Sequence, residues 1–169
     1  MTGLDVSKLL PPDALTAIRS YPRRFRAEVA SIEGDDAIEE LAARIGPDGE
    51  SAIQLISDVA RTWTVLAEAL RQTLTSDDTV LHPAVLDPAQ RNWDTPPSES
   101  LDDVLADLDH AAETLIGRMA AVADLRDWNR RAAVAGGGEV SALDLARTAT
   151  LVGSEGLAAV HAALAAARR

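Results

Sequence analysis

The sequence predicts an all-α protein built as a four-helix bundle, and three observations support this prediction. Four long segments repeat apolar residues at the i, i+3, i+4 spacing of an amphipathic helix. Aromatic residues make up only 3% of the chain, so Leu, Ile, Val and many Ala must fill the core, which suits closely packed helices. No segment shows a competing strand pattern. The 169 residues fit a single domain over 1–169, long enough to bury about 70% of the unfolded surface.

The first predicted helix runs from about Pro11 to Ile32. Its two leading prolines suit a first helical turn, where a missing backbone N–H costs nothing. Pro22 lies inside the apolar repeat, and a proline there is expected to kink or split the helix. A short polar helix is predicted around Ala37–Arg44, and Gly46–Gly49 reads as a turn.

The second long helix begins near Ser51, which forms a capping-box pattern with Gln54. Asp58 lies at the margin of its apolar stripe, an unusual place for an acid. Residues 75–97 then form a long connection with four prolines. Connections of this length without structure are uncommon in compact domains and are often functional. Because the connection contains Trp93, we expect part of it to pack against the core.

The third helix starts near Ser98 or Ser100 and carries the most regular apolar stripe in the chain. Aspartates near its start interact favourably with the helix dipole. Residues 124–138 form a second connection that includes three consecutive glycines. The fourth helix is predicted to begin at Ser141, with Asp144 three residues later, and to run to about Ala166.

Charge and composition limit the classes of partner and location. The formal net charge of −11 argues against nucleic-acid binding, which depends on Lys and Arg neutralising phosphates, and against anionic membrane surfaces. The absence of cysteine excludes disulfides and thiolate metal sites and agrees with a reducing compartment. No N-terminal run is typical of a signal peptide, and we expect no stretch of 18 apolar residues able to span a bilayer. These features predict a cytoplasmic protein.

Short motifs in order along the chain carry a resemblance to a known family. They are the helix from Ser51 to Trp63, the segments Leu86–Pro88 and Asn92–Asp94, and the motifs Asp127-Trp128-Asn129-Arg130, Gly137-Gly138, Val140-Ser141 and Leu145-Ala146-Arg147. With these motifs the chain resembles the DinB-like superfamily, which includes metal-dependent transferases that use mycothiol or bacillithiol and mycothiol-dependent maleylpyruvate isomerases. The helix is similar to the family's first histidine helix, and the two segments are similar to the loop that follows its second helix.

The resemblance implies an up-down-down-up four-helix bundle with a long loop between the second and third helices, often assembled as a homodimer. It also implies a pocket in which one histidine of the second helix and two of the fourth bind a metal. Those positions hold Asp58, Leu151 and Glu155 here. A catalytic metal needs about three protein ligands and an open position, and leucine cannot coordinate. We therefore expect no metal and no cofactor.

The histidines that the chain does have do not replace the missing ligands. His82, His110 and His161 lie in a loop and on two different helices, with no spacing suited to a shared metal. We expect them to be ordinary exposed or half-buried side chains.

The predicted ligand-binding residues are those of the remnant pocket. Asp58 and Glu155 could share a proton and act as a general base or bind a cation. Alternatively, each is paired with an arginine or capped by water, because buried charges are normally paired. Trp63, Trp93 and Trp128 either line a pocket or anchor the core, and Gly153 and Gly156 allow close helix approach or leave room for a ligand. The remnant-pocket set is Asp58, Leu151, Glu155, Trp128, Arg130 and Arg147, with Arg131 as a further candidate partner for the acids.

The sequence predicts a metal-free helical bundle that works as a binding or interaction module, or pseudoenzyme, for a small polar or thiol ligand. The alternative is a thiol-dependent transferase, isomerase or hydrolase with an altered or absent metal site. A third interpretation is a dimer that retains only the fold. The sequence assigns no catalytic residue and leaves open whether the protein is an enzyme.

Overall fold

The computed structural model describes residues 5–30, 38–46, 49–91 and 100–168. This part of the chain is mostly helical, which confirms the all-α class. Helix α1 packs against α4 and α5, and α3 packs against the same two helices, so the long helices share one apolar core. The helices are α1 (Pro11–Ala30), α2 (Ile38–Ala43), α3 (Ala52–Thr75), α4 (Leu101–Ala120) and α5 (Ala142–Ala167).

The predicted helix starts are confirmed because they depend on local hydrogen bonds. The Ser51 hydroxyl accepts from the Gln54 N–H at 3.2 Å, and the Gln54 amide oxygen accepts from the Ser51 N–H at 2.8 Å. Ser141 and Asp144 make the same reciprocal pair, with both backbone bonds at 3.1 Å. Each box satisfies donors that a helix N-terminus otherwise leaves unpaired. Ser100 caps α4, whereas Ser98 lies outside the described residues.

Pro22 does not split the first helix, so that part of the expectation is wrong. Helix α1 runs without a break through Pro22. A proline in a helix interior costs about 3 kcal/mol. Tyr21 and Phe25 on either side of it are buried, and burying two aromatic side chains recovers a similar amount.

A small sheet corrects the expectation that the chain has no strand. The strands are β1 (Val80–Leu81), β2 (Arg131–Val134) and β3 (Glu139–Ser141). Strand β1 pairs with β2 in parallel, and β2 pairs with β3 as a hairpin whose three turn glycines all have positive φ. Strands of two to four residues are too short to show an alternating pattern in the sequence.

The sheet ties together the two long connections, which are more structured than expected. Strand β1 comes from the first connection, and β2 and β3 come from the second. Short 3₁₀ turns occupy much of the rest, at Pro83–Val85, Pro88–Gln90 and Leu125–Asn129. Trp93, which was expected to pack down, lies outside the described residues.

Two glycines let α5 approach its neighbours within the chain. A Cβ atom at Gly153 would lie 2.7 Å from the Tyr21 ring and 2.9 Å from the Trp63 ring. A Cβ atom at Gly156 would overlap the Val59 side chain. Close approach is therefore the role of both glycines, and it serves contacts inside one chain. These glycines no longer support the predicted homodimer.

Helix α5 is long and apolar enough to cross a membrane by length and composition alone, contrary to the expectation of no such stretch. Its many alanines raise the hydropathy of the helix. About one third of the apolar window is buried inside the chain. The core helix of a soluble protein satisfies the same criterion, so this finding is weak evidence for a membrane span.

Candidate functional site

An open groove of about 360 Å³ lies along α3 and α5 and is the candidate functional site. It contains Asp58 and Glu155, two of the three residues at the positions where the resemblance places metal ligands. Leu151, the third, is half-buried and does not line the groove. The lining residues are Glu50, Leu55, Asp58, Val59, Thr62, Arg91, Val152, Glu155, Gly156 and Ala159.

Helical spacing explains why these side chains meet. The α3 lining residues from Leu55 to Thr62 follow the i, i+3, i+4, i+7 pattern that forms one helix face. The α5 lining residues from Val152 to Ala159 follow the same pattern. Gly156 has no side chain to separate the two faces, so Val59 packs directly against the α5 backbone. Apolar atoms therefore form part of the groove, and the charged side chains lie along it.

Among the described lining residues Arg91 is the positively charged one, beside the acids Glu50, Asp58 and Glu155, and the sequence analysis missed it. It follows the 3₁₀ turn Pro88–Gln90, and its Nε donates to the Ala84 carbonyl at 3.1 Å. Burial lowers the pKa of Arg91, and the nearby carboxylates, including Asp58 and Glu155, oppose that shift. The guanidinium nevertheless stays charged at neutral pH. Its only sequence signal is its place in a long proline-rich connection.

Thr62 adds a buried hydroxyl to the groove. The residue is only 3% exposed, and the structure gives its side chain no hydrogen-bond partner among the described residues. Fully enclosed side-chain nitrogen and oxygen atoms in the described part all have a partner. Thr62 lines the groove, so its hydroxyl can bond to water or to a ligand there.

The other predicted site residues lie away from the groove. Trp128 is 6% exposed and belongs to the apolar core, so it is an anchor of the 3₁₀ turn Leu125–Asn129. Arg130 donates from Nε to the Thr73 carbonyl at 3.2 Å and from a terminal nitrogen to Asp77 at 2.6 Å. It therefore holds the second connection against the C-terminal end of α3.

The remaining arginine candidates also have other partners. Arg147 donates from Nε to the Leu9 carbonyl at 3.1 Å and lies 3.6 Å from Asp144. Arg131 pairs with Glu139 across the hairpin at 3.4 Å. The arginine that the structure brings to Asp58 and Glu155 is Arg91, and not Arg130, Arg131 or Arg147.

The three histidines have separate environments. His82 caps the turn that follows it, with its Nδ1 accepting from the Ala84 N–H at 3.1 Å. His161 lies 2.7 Å from Glu28, and His110 is exposed on α4. Among the described residues, no group of three His, Asp or Glu side chains is arranged to hold a metal ion.

Two other cavities each contain a carboxylate that already accepts hydrogen bonds from the chain. One, of about 310 Å³ beside α3, contains Glu68, whose pKa is about 2 because Arg71 and Gln72 donate to its carboxylate. The other, of about 430 Å³ at the hairpin, contains Asp87, which accepts from the Ala89 N–H. The α3–α5 groove differs in presenting charges of both signs.

The chain matches no family model, no curated protein and no solved structure. The resemblance to the DinB-like superfamily therefore remains a prediction that rests on the sequence motifs.

Proposed function

We propose that the protein is a metal-free binding module that holds a small polar ligand in the α3–α5 groove, on a DinB-like bundle of up-down-down-up topology. One observation carries the proposal. Asp58 and Glu155, which stand where the resemblance places metal ligands, share a groove with Arg91.

The size and chemistry of the groove favour ligand binding over a purely structural role. Its volume lies within the range of about 300–1,000 Å³ that is typical of small-molecule sites. Such sites combine apolar walls with a few polar groups that orient the ligand. Here Leu55 and Val152 supply apolar surface, and four charged side chains, Glu50, Asp58, Arg91 and Glu155, can make charge-assisted hydrogen bonds.

A thermal-shift screen with NMR mapping tests this proposal. The panel contains small amines, amino acids, carboxylates and low-molecular-weight thiols. We expect at least one compound to raise the melting temperature and to move the amide signals of Asp58, Thr62 and Glu155. The Asp58→Asn variant should lose the effect, while Asp78→Asn, which changes an exposed acid after α3, should keep it. A panel without any hit on the wild-type protein contradicts the proposal.

The enzyme alternative makes a different prediction about metal. A thiol-dependent transferase or isomerase with a rearranged site should take up stoichiometric zinc or nickel. We expect elemental analysis of protein prepared without a histidine tag to find neither metal at stoichiometric level. Bound metal that is lost in Asp58→Asn or Glu155→Gln would favour the enzyme.

We also propose a homodimer in the cytoplasm, which the resemblance and the acidic, cysteine-free composition favour. Light scattering over a wide concentration range tests the assembly. A dimer mass is expected, and a monomer mass at every concentration would contradict it.

A further inference from the structure

We infer that the outer face of α1 and α4 is an interface between two copies of this chain, with the arginines of each copy against the aspartates of the other. The inference rests on the proposed homodimer and adds the surface through which the dimer forms. The charged residues of this face are Arg19, Arg23 and Arg26 of α1 and Asp102, Asp103 and Asp109 of α4.

Helices α1 and α4 pack against each other and run in opposite directions. Towards the end of α1, Glu28 lies 2.7 Å from His161 in the last part of α5. Helix α2 lies at the same end of the bundle, because Arg44, directly after it, donates to the last turn of α5. The N–H of Leu101, the first residue of α4, donates to Glu39 of α2 at 3.2 Å. Helix α4 therefore begins where α1 ends.

An ion pair between the two helices fixes which charges lie at which end of the face. Arg26 donates to Asp109 across the contact. Because the helices are antiparallel, residues before Arg26 and residues before Asp109 lie on opposite sides of this pair. A helix rises 1.5 Å per residue, so a charge seven residues before either partner is about 10 Å away along the axis. One end of the face carries Arg19 and Arg23, and the other carries Asp102 and Asp103.

The four flanking charges are not used in ion pairs within the described part of the chain. All four side chains are exposed, and among the described residues none makes an ion pair or a side-chain hydrogen bond. Glu113 follows Asp109 towards the arginine end and offsets part of its positive charge. Glu39 lies at the aspartate end and adds to its negative charge. The two ends of the face therefore differ in sign.

A face with opposite charges at its two ends is complementary to itself. In a two-fold symmetric dimer the same patch of both copies forms the interface. A two-fold axis through the middle of this face exchanges its ends, so Arg19 and Arg23 of each copy lie against Asp102 and Asp103 of the other. Matching opposite charges in this way favours one orientation and disfavours those that bring like charges together.

The size of the face suits a weak dimer. Each of the two helices has 20 residues and is therefore about 30 Å long. Two helices side by side, each about 10 Å wide, present about 600 Å² per copy, or about 1,200 Å² for the dimer. That area is at the lower limit of specific interfaces. Leu15, Pro22 and Ile116, which are partly exposed, add apolar surface along the contact between the helices.

The salt dependence of the dimer is the first test. Exposed ion pairs contribute little individually and are screened by salt. The dissociation constant, measured by sedimentation equilibrium, should rise about tenfold or more between about 50 and about 500 mM NaCl.

Charge reversal at each end tests the pairing directly. Arg19→Glu with Arg23→Glu makes both ends negative, and Asp102→Lys with Asp103→Lys makes both ends positive. Each double variant alone should be monomeric at concentrations where the wild-type protein is a dimer, because like charges then meet at both contacts. An equal mixture of the two variants should form a heterodimer, since each end then meets the opposite charge.

Two controls separate the interface from folding. Arg126→Glu with Arg131→Glu reverses two exposed arginines of the second connection and should leave the dimer unchanged. Circular dichroism checks each variant, because lysines in the first turn of α4 oppose the helix dipole. If the lysine variant does not fold, Asp102→Asn with Asp103→Asn takes its place and should raise the dissociation constant about tenfold.

The outcomes separate this inference from the proposed homodimer. Reversal variants that dimerise as tightly as the wild-type protein, or a dimer that is indifferent to salt, would overturn this face and leave the homodimer in place. A mixture of the reversal variants that stays monomeric would overturn the pairing of the two ends. A wild-type protein that is monomeric at every concentration contradicts both proposals.

Discussion

The two sides of the α3–α5 contact differ in how their polar groups are satisfied. On the inner side, the Trp63 Nε1 donates to the Ala149 carbonyl at 2.9 Å, and the Tyr21 hydroxyl donates to the Thr150 carbonyl at 3.2 Å. On the outer side, Thr62 and the charged residues line the groove, where solvent or a ligand can also reach them.

The same pair of helices therefore has an inner side that stabilises the fold and an outer side that forms the candidate binding groove. On the inner side the rings pack against a glycine, with ring centroids 6.0 Å apart, so little can change without strain. On the outer side the charged side chains are at least partly exposed. We therefore expect inner substitutions to unfold the protein and outer substitutions to leave the fold intact.

Trp63→Ala should give the largest effect. The side chain is fully buried, and truncating such a residue costs about 3–5 kcal/mol through lost burial and a new cavity. The free energy of unfolding from urea titration followed by circular dichroism measures the loss. Trp63→Phe keeps most of the ring and should cost less. A loss below about 1 kcal/mol in Trp63→Ala would show that the inner side does not hold the helices together.

Gly153→Ala tests whether close packing requires the glycine. The added Cβ atom would lie 2.7 Å from the Tyr21 ring, and overpacking of this kind costs about 1–3 kcal/mol. Gly117→Ala on α4 is the matched control, because nothing lies within 4 Å of its Cβ position. That variant should gain up to about 1 kcal/mol from helix propensity. Equal gains in both variants would contradict the packing argument.

Asp144→Ala removes the capping box at the start of α5, the helix that contributes to both the inner side and the groove. The expected loss at neutral pH is about 0.5–2 kcal/mol. Burial alone would raise the pKa of Asp144. Hydrogen bonds from Ser141 and the positive charges of nearby arginines outweigh the effect of burial and lower that pKa. A lowered pKa in the folded state means that the stabilisation is present above the model-peptide value of 3.8 and is lost as pH falls through the folded value.

The pH series therefore has a defined direction. The difference in unfolding free energy between wild-type protein and Asp144→Ala should shrink as the pH is lowered below 3.8. Asp144→Asn keeps an acceptor oxygen without the charge, so its loss should be smaller. A difference that grows at low pH would be the wrong sign for a capping carboxylate.

The sequence was sufficient to predict those structural features that depend on residues close together along the chain. The Ser51 and Ser141 capping boxes could be predicted because their partners lie three residues away. The unbroken helix at Pro22 could not be predicted locally, because it depends on the burial of Tyr21 and Phe25 against other helices. The sheet was missed because its strands are short and come from distant connections.

In the candidate site too, features that depend on tertiary contacts could not be predicted from the sequence. Asp58 and Glu155 were selected through the resemblance to the DinB-like superfamily, although the expected arginine partners were wrong. Arg91 reaches the groove only through the folding of a long connection, so no local spacing could indicate it. Arg130 lies in a recognised motif, yet its bonds to Thr73 and Asp77 could be read only from the tertiary structure.

The most direct test of the central claim is the double variant Asp58→Asn with Glu155→Gln, compared with Asp78→Asn plus Glu113→Gln, which removes the same charge from exposed positions. If the acids are a ligand site, the free energy of unfolding of the site variant should match that of the control within about 0.5 kcal/mol or exceed it. The site variant should also lose the thermal shift that the panel compounds give the wild-type protein. A fall of about 3–5 kcal/mol relative to the control would instead identify the acids as a structural ion-pair network and contradict the account.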